Sequence, residues 1–254
     1  MKVLTYNVNG IRAAMRKGLV EFLARENADV VCFQELKANA DQFDVSEFEN
    51  LGYHCYWYSA QKKGYSGVAI LCKEEPKHVE YGCGHEVFDY EGRVVRADFD
   101  GYSVISAYFP SGSSGDIRQD VKFEFLDYFY DHVAALRKTH PNLVICGDYN
   151  ICHREIDIHD PVSNKKSSGF LPEEREWMSK FFDSGFVDTF RTLNPKPDNY
   201  TWWSFRANSR ARNKGWRIDY IAISEPLGNA LKSSAILPED NHSDHCASYA
   251  ELSV

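Results

Sequence analysis

Apolar runs of strand length recur along the whole chain: KVLTYNV, DVVCFQ, YHCYWYS, GVAILCK, RVVRADF, YSVISAYF, LVICGD, RIDYIAIS and CASYAEL. Each is rich in the β-branched and aromatic residues that suit a pleated sheet. Between Phe99 and Tyr102, Asp100-Gly101 supplies a tight hairpin turn, so at least two strands pair antiparallel. Helical spacing appears on Leu19, Phe22 and Leu23. It returns on Val121, Phe125, Phe129, Val133 and Leu136, in a segment that stops before Pro141. A third helix is expected from Pro172 to near Gly185, with Glu173 and Glu174 favouring the dipole in its first turn. Strands outnumber helices and some are joined directly, which excludes a regular βαβ alternation. Two mixed β-sheets packed face to face, with helices outside, bury most of these runs. Catalytic groups in such a sandwich would sit on strand-end loops along one rim.

At 254 residues and 43% hydrophobic, the chain is large enough for one sizeable core, and no linker-like stretch divides it. A single domain over residues 1–254 is expected. The start MKVLTYNVNG is too short in apolar run for a signal peptide, and no segment approaches a membrane span. The expectation is a cytoplasmic, non-secreted protein without membrane partners, nucleoid-associated if the source is bacterial. Seven cysteines without CxxC spacing argue against a disulfide framework or a zinc site. The net charge of −8 speaks against a nucleic-acid partner. Its distribution speaks for one, because Arg206, Arg210, Arg212, Lys214 and Arg217 form a basic stripe with no acid among them.

Several strand-like runs end on polar or ionisable groups. Asp148 and Asn150 follow LVICG, Asn7 and Asn9 precede Gly10, and Gln34 and Glu35 close the second run. Tyr108 stands before Pro110, Asp219 lies inside an apolar run, and Asp244 and His245 precede the last one. Each has a plain structural alternative, since Asp and Asn commonly turn a chain and a lone His is usually a satisfied core group. Asp219 is harder to dismiss, because a buried acid costs several kcal/mol unless paired. His245 is its natural partner: a carboxylate on one ring nitrogen fixes the tautomer and leaves the other nitrogen to address an anion. Glu35 and Asp244 suit a hard, oxygen-ligated cation such as Mg²⁺. Asn7, Asn150 and Tyr108 are neutral groups suited to phosphate oxygens, and Asp148 is placed to orient and deprotonate a water. Together they describe metal-assisted phosphodiester hydrolysis. No Ser or Cys with an adjacent base suggests a covalent intermediate.

The segments NVNGIRA, Gln34-Glu35, GYSGVAIL, YFP, GDYNICHREIDI, NKGWRIDY and SDHC follow one another in the order found in the exonuclease III family of abasic-site DNA endonucleases. The chain resembles that family over nearly its whole length. The resemblance implies a four-layered α/β sandwich and a monomer that cleaves double-stranded DNA 5′ to abasic sites. It also implies trimming of 3′ ends and use of Mg²⁺, with Mn²⁺ able to replace it. By motif, Glu35 becomes the principal metal ligand with Asn9 and Asp244 nearby. Asp148 positions the water, Asn7, Asn150, Tyr108 and His245 hold the phosphate, and Asp219 supports His245. Trp202, Trp216 and Ile218 would line a pocket for the extruded sugar, Asn164 would contact the abasic strand, and Arg206 and Arg210 belong to the same DNA-facing segment.

Two features depart from the family pattern. Arg206 stands where some relatives carry an apolar wedge, and the loop SGSSGD after Pro110 is small and lacks their amide and Arg. With no extension before the first strand, functions that depend on such a tail are not expected. The competing readings are a nonspecific nuclease, a phosphoinositide or sphingolipid phosphoesterase on the same fold, and a DNA-binding module without catalysis.

Overall fold

A computed structural model describes all residues, Met1–Val254. Its strands are β1 (Lys2–Asn7), β2 (Val30–Gln34), β3 (His54–Tyr58), β4 (Val68–Cys72), β5 (His78–Tyr81) and β6 (Val94–Asp98). They continue with β7 (Ser103–Tyr108), β8 (Leu143–Asp148), β9 (Phe186–Asp188), β10 (Asp219–Ser224), β11 (Leu231–Leu237) and β12 (Ala247–Leu252). They form two six-stranded sheets, β11-β12-β1-β2-β4-β3 and β5-β6-β7-β8-β10-β9. Each sheet has one parallel pair at its centre, β1–β2 in the first and β7–β8 in the second; all other pairings are antiparallel.

The layering follows from period-two alternation in strands that are apolar on both faces. Along β2, Val30 and Cys32 face the space between the sheets, while Val31 and Phe33 face outward. Along β8, Val144 and Cys146 face inward and Leu143 and Ile145 outward. The inner faces make one core, closed by β4, β6, β10 and β12. Outside the first sheet, helix Leu19–Glu26 lays Leu19, Phe22 and Leu23 onto Leu4, Tyr6 and Phe33. Helices Asp116–Leu136 and Pro172–Asp183 cover the second sheet through Phe125, Phe129, Trp177 and Phe181. Four layers result, as expected.

The hairpin expected at Asp100-Gly101 joins β6 to β7 and is closed by Phe99 N–H donating to Tyr102 O at 2.9 Å. Strands β5, β9 and β11 were not marked by the sequence pattern. All three lie at sheet edges, where one side needs no partner and the alternation is interrupted by polar groups such as Glu80 and Ser233.

Candidate active site

Strand register brings the polar ends together. In the second sheet Asp148 pairs directly with Tyr108 on β7 and with Asp219 on β10, so three functional candidates form a row across three strands. Gly147 makes this row possible, because a Cβ there would meet Ala107 O at 1.9 Å. In the first sheet Asn7 pairs with Gln34 at the ends of β1 and β2. Gln34 is buried and joins the two sheets, donating to Ser106 Oγ at 3.1 Å and accepting from Thr5 Oγ1 at 3.2 Å.

The row opens into a cleft of about 390 Å³ lined by Asn9, Glu35, Tyr108, Asp148, Asn150, Trp202, Trp216, Ile218, Asp244 and His245. Lys37, Ser111, Ser113, Ser168 and Gly169 complete the lining, and the sequence reading had named none of them as site residues. Asn9, Glu35, Lys37 and Asn150 all hold left-handed backbone, with φ of 44, 60, 53 and 52°. Such conformations cost energy for a side chain like glutamate and persist where surrounding bonds enforce them. Here Gly10 N–H donates to Glu35 O, and Lys37 N–H to Ser66 O.

Asp148 is buried and held from three sides. Asn7 Nδ2 donates to its Oδ2 at 2.9 Å, the Asn150 N–H to its Oδ1 at 2.8 Å, and Asn150 Nδ2 lies 3.3 Å from Oδ2. Asn150 Nδ2 also donates to Phe109 O. Asn7 is fully buried and absent from the cleft lining. The amides of Asn7 and Asn150 face the Asp148 carboxylate, and of the two only Asn150 lines the cleft.

His245 Nδ1 lies 2.9 Å from Asp219 Oδ2, and its Nε2 lies 3.9 Å from Asp148 Oδ2. Burial opposes charge on the ring, yet the carboxylates of Asp219, Asp148 and Asp244 carry its pKa up to about 10. Burial, then the Asp219 charge, pushes Asp148 up to about 7 against the pull of His245 and its amide donors. Burial and the nearby Glu35 and Asp148 hold the Tyr108 phenol well above its ordinary range.

Oxygen donors suited to a hard cation line the same cleft. Glu35 Oε1 and Asn9 Oδ1 already converge on one cation, the Lys37 ammonium, at 2.9 and 2.6 Å. Asp244 is linked to the same group, accepting from Asn9 Nδ2 at 2.8 Å and from Trp202 Nε1 at 3.0 Å. Burial would raise the Asp244 carboxyl, but His245, Asn9 and Trp202 hold it below its usual range. Two carboxylates and an amide oxygen fit Mg²⁺. Asp148, Asp219 and His245 also place donor atoms within 4.8 Å of one another.

Trp202 and Trp216 stand perpendicular, with ring centroids 6.0 Å apart, and their backbones bond to each other. With Ile218 they form an apolar wall against Gly169, where a Cβ would press on the Trp216 ring at 3.0 Å. Trp203 is buried in the core, as expected.

The basic stripe divides. Arg217 is buried and paired with Asp157 at 2.7 Å and Asp188 at 2.7 Å, so it cannot meet a polyanion. Arg210 is turned toward the protein: its guanidinium donates to Asn241 Oδ1 and to the carbonyls of Ser243, Pro238 and Asp240. Arg206 is exposed beside Phe205, itself 75% exposed, and neither lines the cleft. Asn164 also lies outside it, its amide donating to His159 O and Asp160 O.

Beneath the cleft, sequence reading missed a fully buried ion pair. Lys122 Nζ contacts Glu174 Oε1 at 2.5 Å and donates to Asn150 O at 2.9 Å. Glu174 Oε2 accepts from Gly169 N–H at 2.6 Å and Leu171 N–H at 3.0 Å. The signal was a lysine spaced three, four and seven residues from Phe125, Leu126 and Phe129, on the stripe that faces the core.

The sandwich and its acid–imidazole–amide cleft are those of a phosphodiester hydrolase. The chain belongs to the Endonuclease/Exonuclease/phosphatase family, whose model matches residues 4–245. The exodeoxyribonuclease of Bacillus subtilis (strain 168) is 41% identical over 248 residues, 97% of each chain. The DNA repair nuclease APEX1 of Danio rerio is 40% identical over 253 residues, covering 97% of this chain and 80% of its own. An AP endonuclease structure from Archaeoglobus fulgidus matches with a TM-score of 0.91 and 31% identity over the whole of both chains. The 3′ phosphatase NExo from Neisseria, bound to a product DNA hairpin, also matches both whole chains with a TM-score of 0.91, at 30% identity.

Proposed function

We propose that this chain is a Mg²⁺-dependent DNA-repair phosphodiesterase that cuts the backbone 5′ to abasic sites and trims 3′ ends, acting as a monomer in the cytoplasm. The observation that carries this reading is the buried Asp148 carboxylate facing His245 at 3.9 Å, at the floor of a cleft walled by Trp202, Trp216 and Ile218. Relatives named as an abasic-site endonuclease and a 3′ phosphatase, with closely matching whole-chain folds, support the same chemistry.

In this reading Asp148, oriented by Asn7 and Asn150, accepts a proton from the attacking water. His245, kept charged by Asp219, stabilises the phosphate as charge builds on its oxygens, and Tyr108 donates from the other side. Glu35, Asp244 and the Asn9 oxygen would hold the metal, which when bound adds positive charge at the phosphate and the leaving oxygen. The apolar wall accepts a base-free sugar, whose extrusion breaks no base pair.

The test is incision of a duplex carrying one abasic analogue, beside an intact duplex and a phosphoinositide, with Mg²⁺ and with chelator. Metal-dependent incision at the abasic site, abolished by Asp148→Asn with binding retained, is expected. Digestion of intact DNA alone would favour a nonspecific nuclease, phosphate release from the lipid a phosphoinositide phosphatase, and binding without turnover an inactive module.

A further inference from the structure

Between β11 and β12, His245 is tied to Trp202 by an isolated antiparallel bridge, with Trp203 N–H donating to Asp244 O at 3.0 Å and Cys246 N–H to Thr201 O at 2.7 Å; the turn that leads into it, Pro238–Ser243, is held from outside by Arg210. Nη1 donates to Asn241 Oδ1 and Ser243 O, each at 3.0 Å, and Nη2 to Pro238 O at 2.9 Å and Asp240 O at 2.5 Å. These four bonds engage the hydrogens of both terminal nitrogens. The guanidinium also lies 4.8 Å from the centroid of the Trp203 ring, which fixes it on a buried surface. The same turn is also gripped by Arg25, whose Nη2 reaches both carboxylate oxygens of Asp240, at 2.8 and 2.9 Å. Ser243, whose carbonyl Arg210 holds, accepts the His245 N–H on its hydroxyl and donates to Asp244. Arg210 is thus one residue removed from both site groups, and it sits in the segment that carries Trp202 and Trp216.

We propose that Arg210 is a positioning residue: it locks the Pro238–Ser243 turn so that His245 and Asp244 stand in register with the pocket wall, and it does not grip DNA phosphate. The inference rests on the function proposed above. A planar fork matching four acceptors is required, so lysine does not replace it.

Arg210→Met and Arg210→Lys separate the roles. Positioning predicts a kcat loss of about tenfold or more in both, since small misplacements of reacting groups are costly. Binding of abasic duplex, measured by anisotropy in chelator, stays within about threefold, and the slope of log Kd against log salt is unchanged. The ¹⁵N signals of the His245 ring move in the free protein. If instead kcat is kept while binding weakens and the salt slope falls by about one phosphate's worth, Arg210 contacts DNA and the proposal fails. If only thermal stability drops, with kcat and the His245 signals unmoved, it is merely structural and the proposal fails as well. Should Arg210→Met not fold, Arg210→Lys carries the same comparison. A wild-type chain that incises nothing would sink the functional reading, while the His245 signals would still decide the role of Arg210.

Discussion

Asp219 Oδ2 receives His245 Nδ1 at 2.9 Å, and its other oxygen, buried beside it, has no hydrogen-bond partner. The imidazole is thus the one hydrogen-bond partner of the Asp219 side chain. Asp219→Asn removes the charge that keeps the ring protonated. His245 should then titrate well below its value in the unaltered protein, and kcat should fall by about 10²-fold or more. NMR titration of the ring with parallel kinetics checks both; a His245 still charged at pH 9 would contradict the pairing.

The same pair sets the pH profile of turnover. Asp148, raised to about 7, acts as a base only when ionised, so kcat/KM rises with pH up to about 7. His245, raised to about 10, supports the phosphate only while charged, so the profile falls as pH nears 10. Because the two are adjacent, both limbs belong to the pair rather than to either residue. A profile flat from pH 5.5 to 8 would remove Asp148 from the base role.

Stability has a separate acid limit. Burial alone would raise the Asp157 carboxyl, but Arg217 at 2.7 Å and Arg191 at 2.8 Å bring it down to about 2. A depressed folded-state pKa contributes stability above the unfolded value, near 4, and loses it as pH falls toward 2. The contribution is about 2 kcal/mol. Urea midpoints should decline across that window, and Asp157→Asn should flatten that part of the decline. An unchanged slope in the variant would place the acid sensitivity elsewhere.

How much of this was legible in the sequence depended on what each signal reports. Two-faced apolar strands such as β2 and β8 gave their existence and their burial, because a continuous apolar run of strand length is a property of the local chain. The row Tyr108–Asp148–Asp219 was legible only as two polar strand ends and an acid inside an apolar run; which strands adjoin is set by topology, and no single segment carries that. Arg217 misled for the opposite reason. Its lack of acidic neighbours in sequence read as part of an open basic stripe, whereas its partners, Asp157 and Asp188, are distant in the chain.

Lys122 shows what a buried charge contributes. Lys122→Met leaves Glu174 fully buried without its counter-charge, which should cost about 3–5 kcal/mol. Adding Glu174→Gln removes the charge but keeps an acceptor for Gly169 and Leu171, so the double variant should recover much of the loss. Urea unfolding of the two variants measures it. A single variant less than 1 kcal/mol below wild type would mean that the pair is dispensable.

Trp216 decides whether the apolar wall selects the damaged sugar. Its ring stands at right angles to Trp202, and Gly169 leaves no space behind it, so its position is set by packing rather than by the occupant of the cleft. A wall fixed in this way discriminates by size. Trp216→Ala opens room that an intact nucleotide could use, and the preference for abasic over intact duplex should drop by about tenfold or more. The catalytic row is not touched, so digestion of ordinary 3′ ends should change far less. Ratios of kcat/KM on the two duplexes give the answer: a preference equal to wild type would mean that selection lies in how the DNA bends onto Phe205 and Arg206, outside the cleft, rather than in the pocket itself.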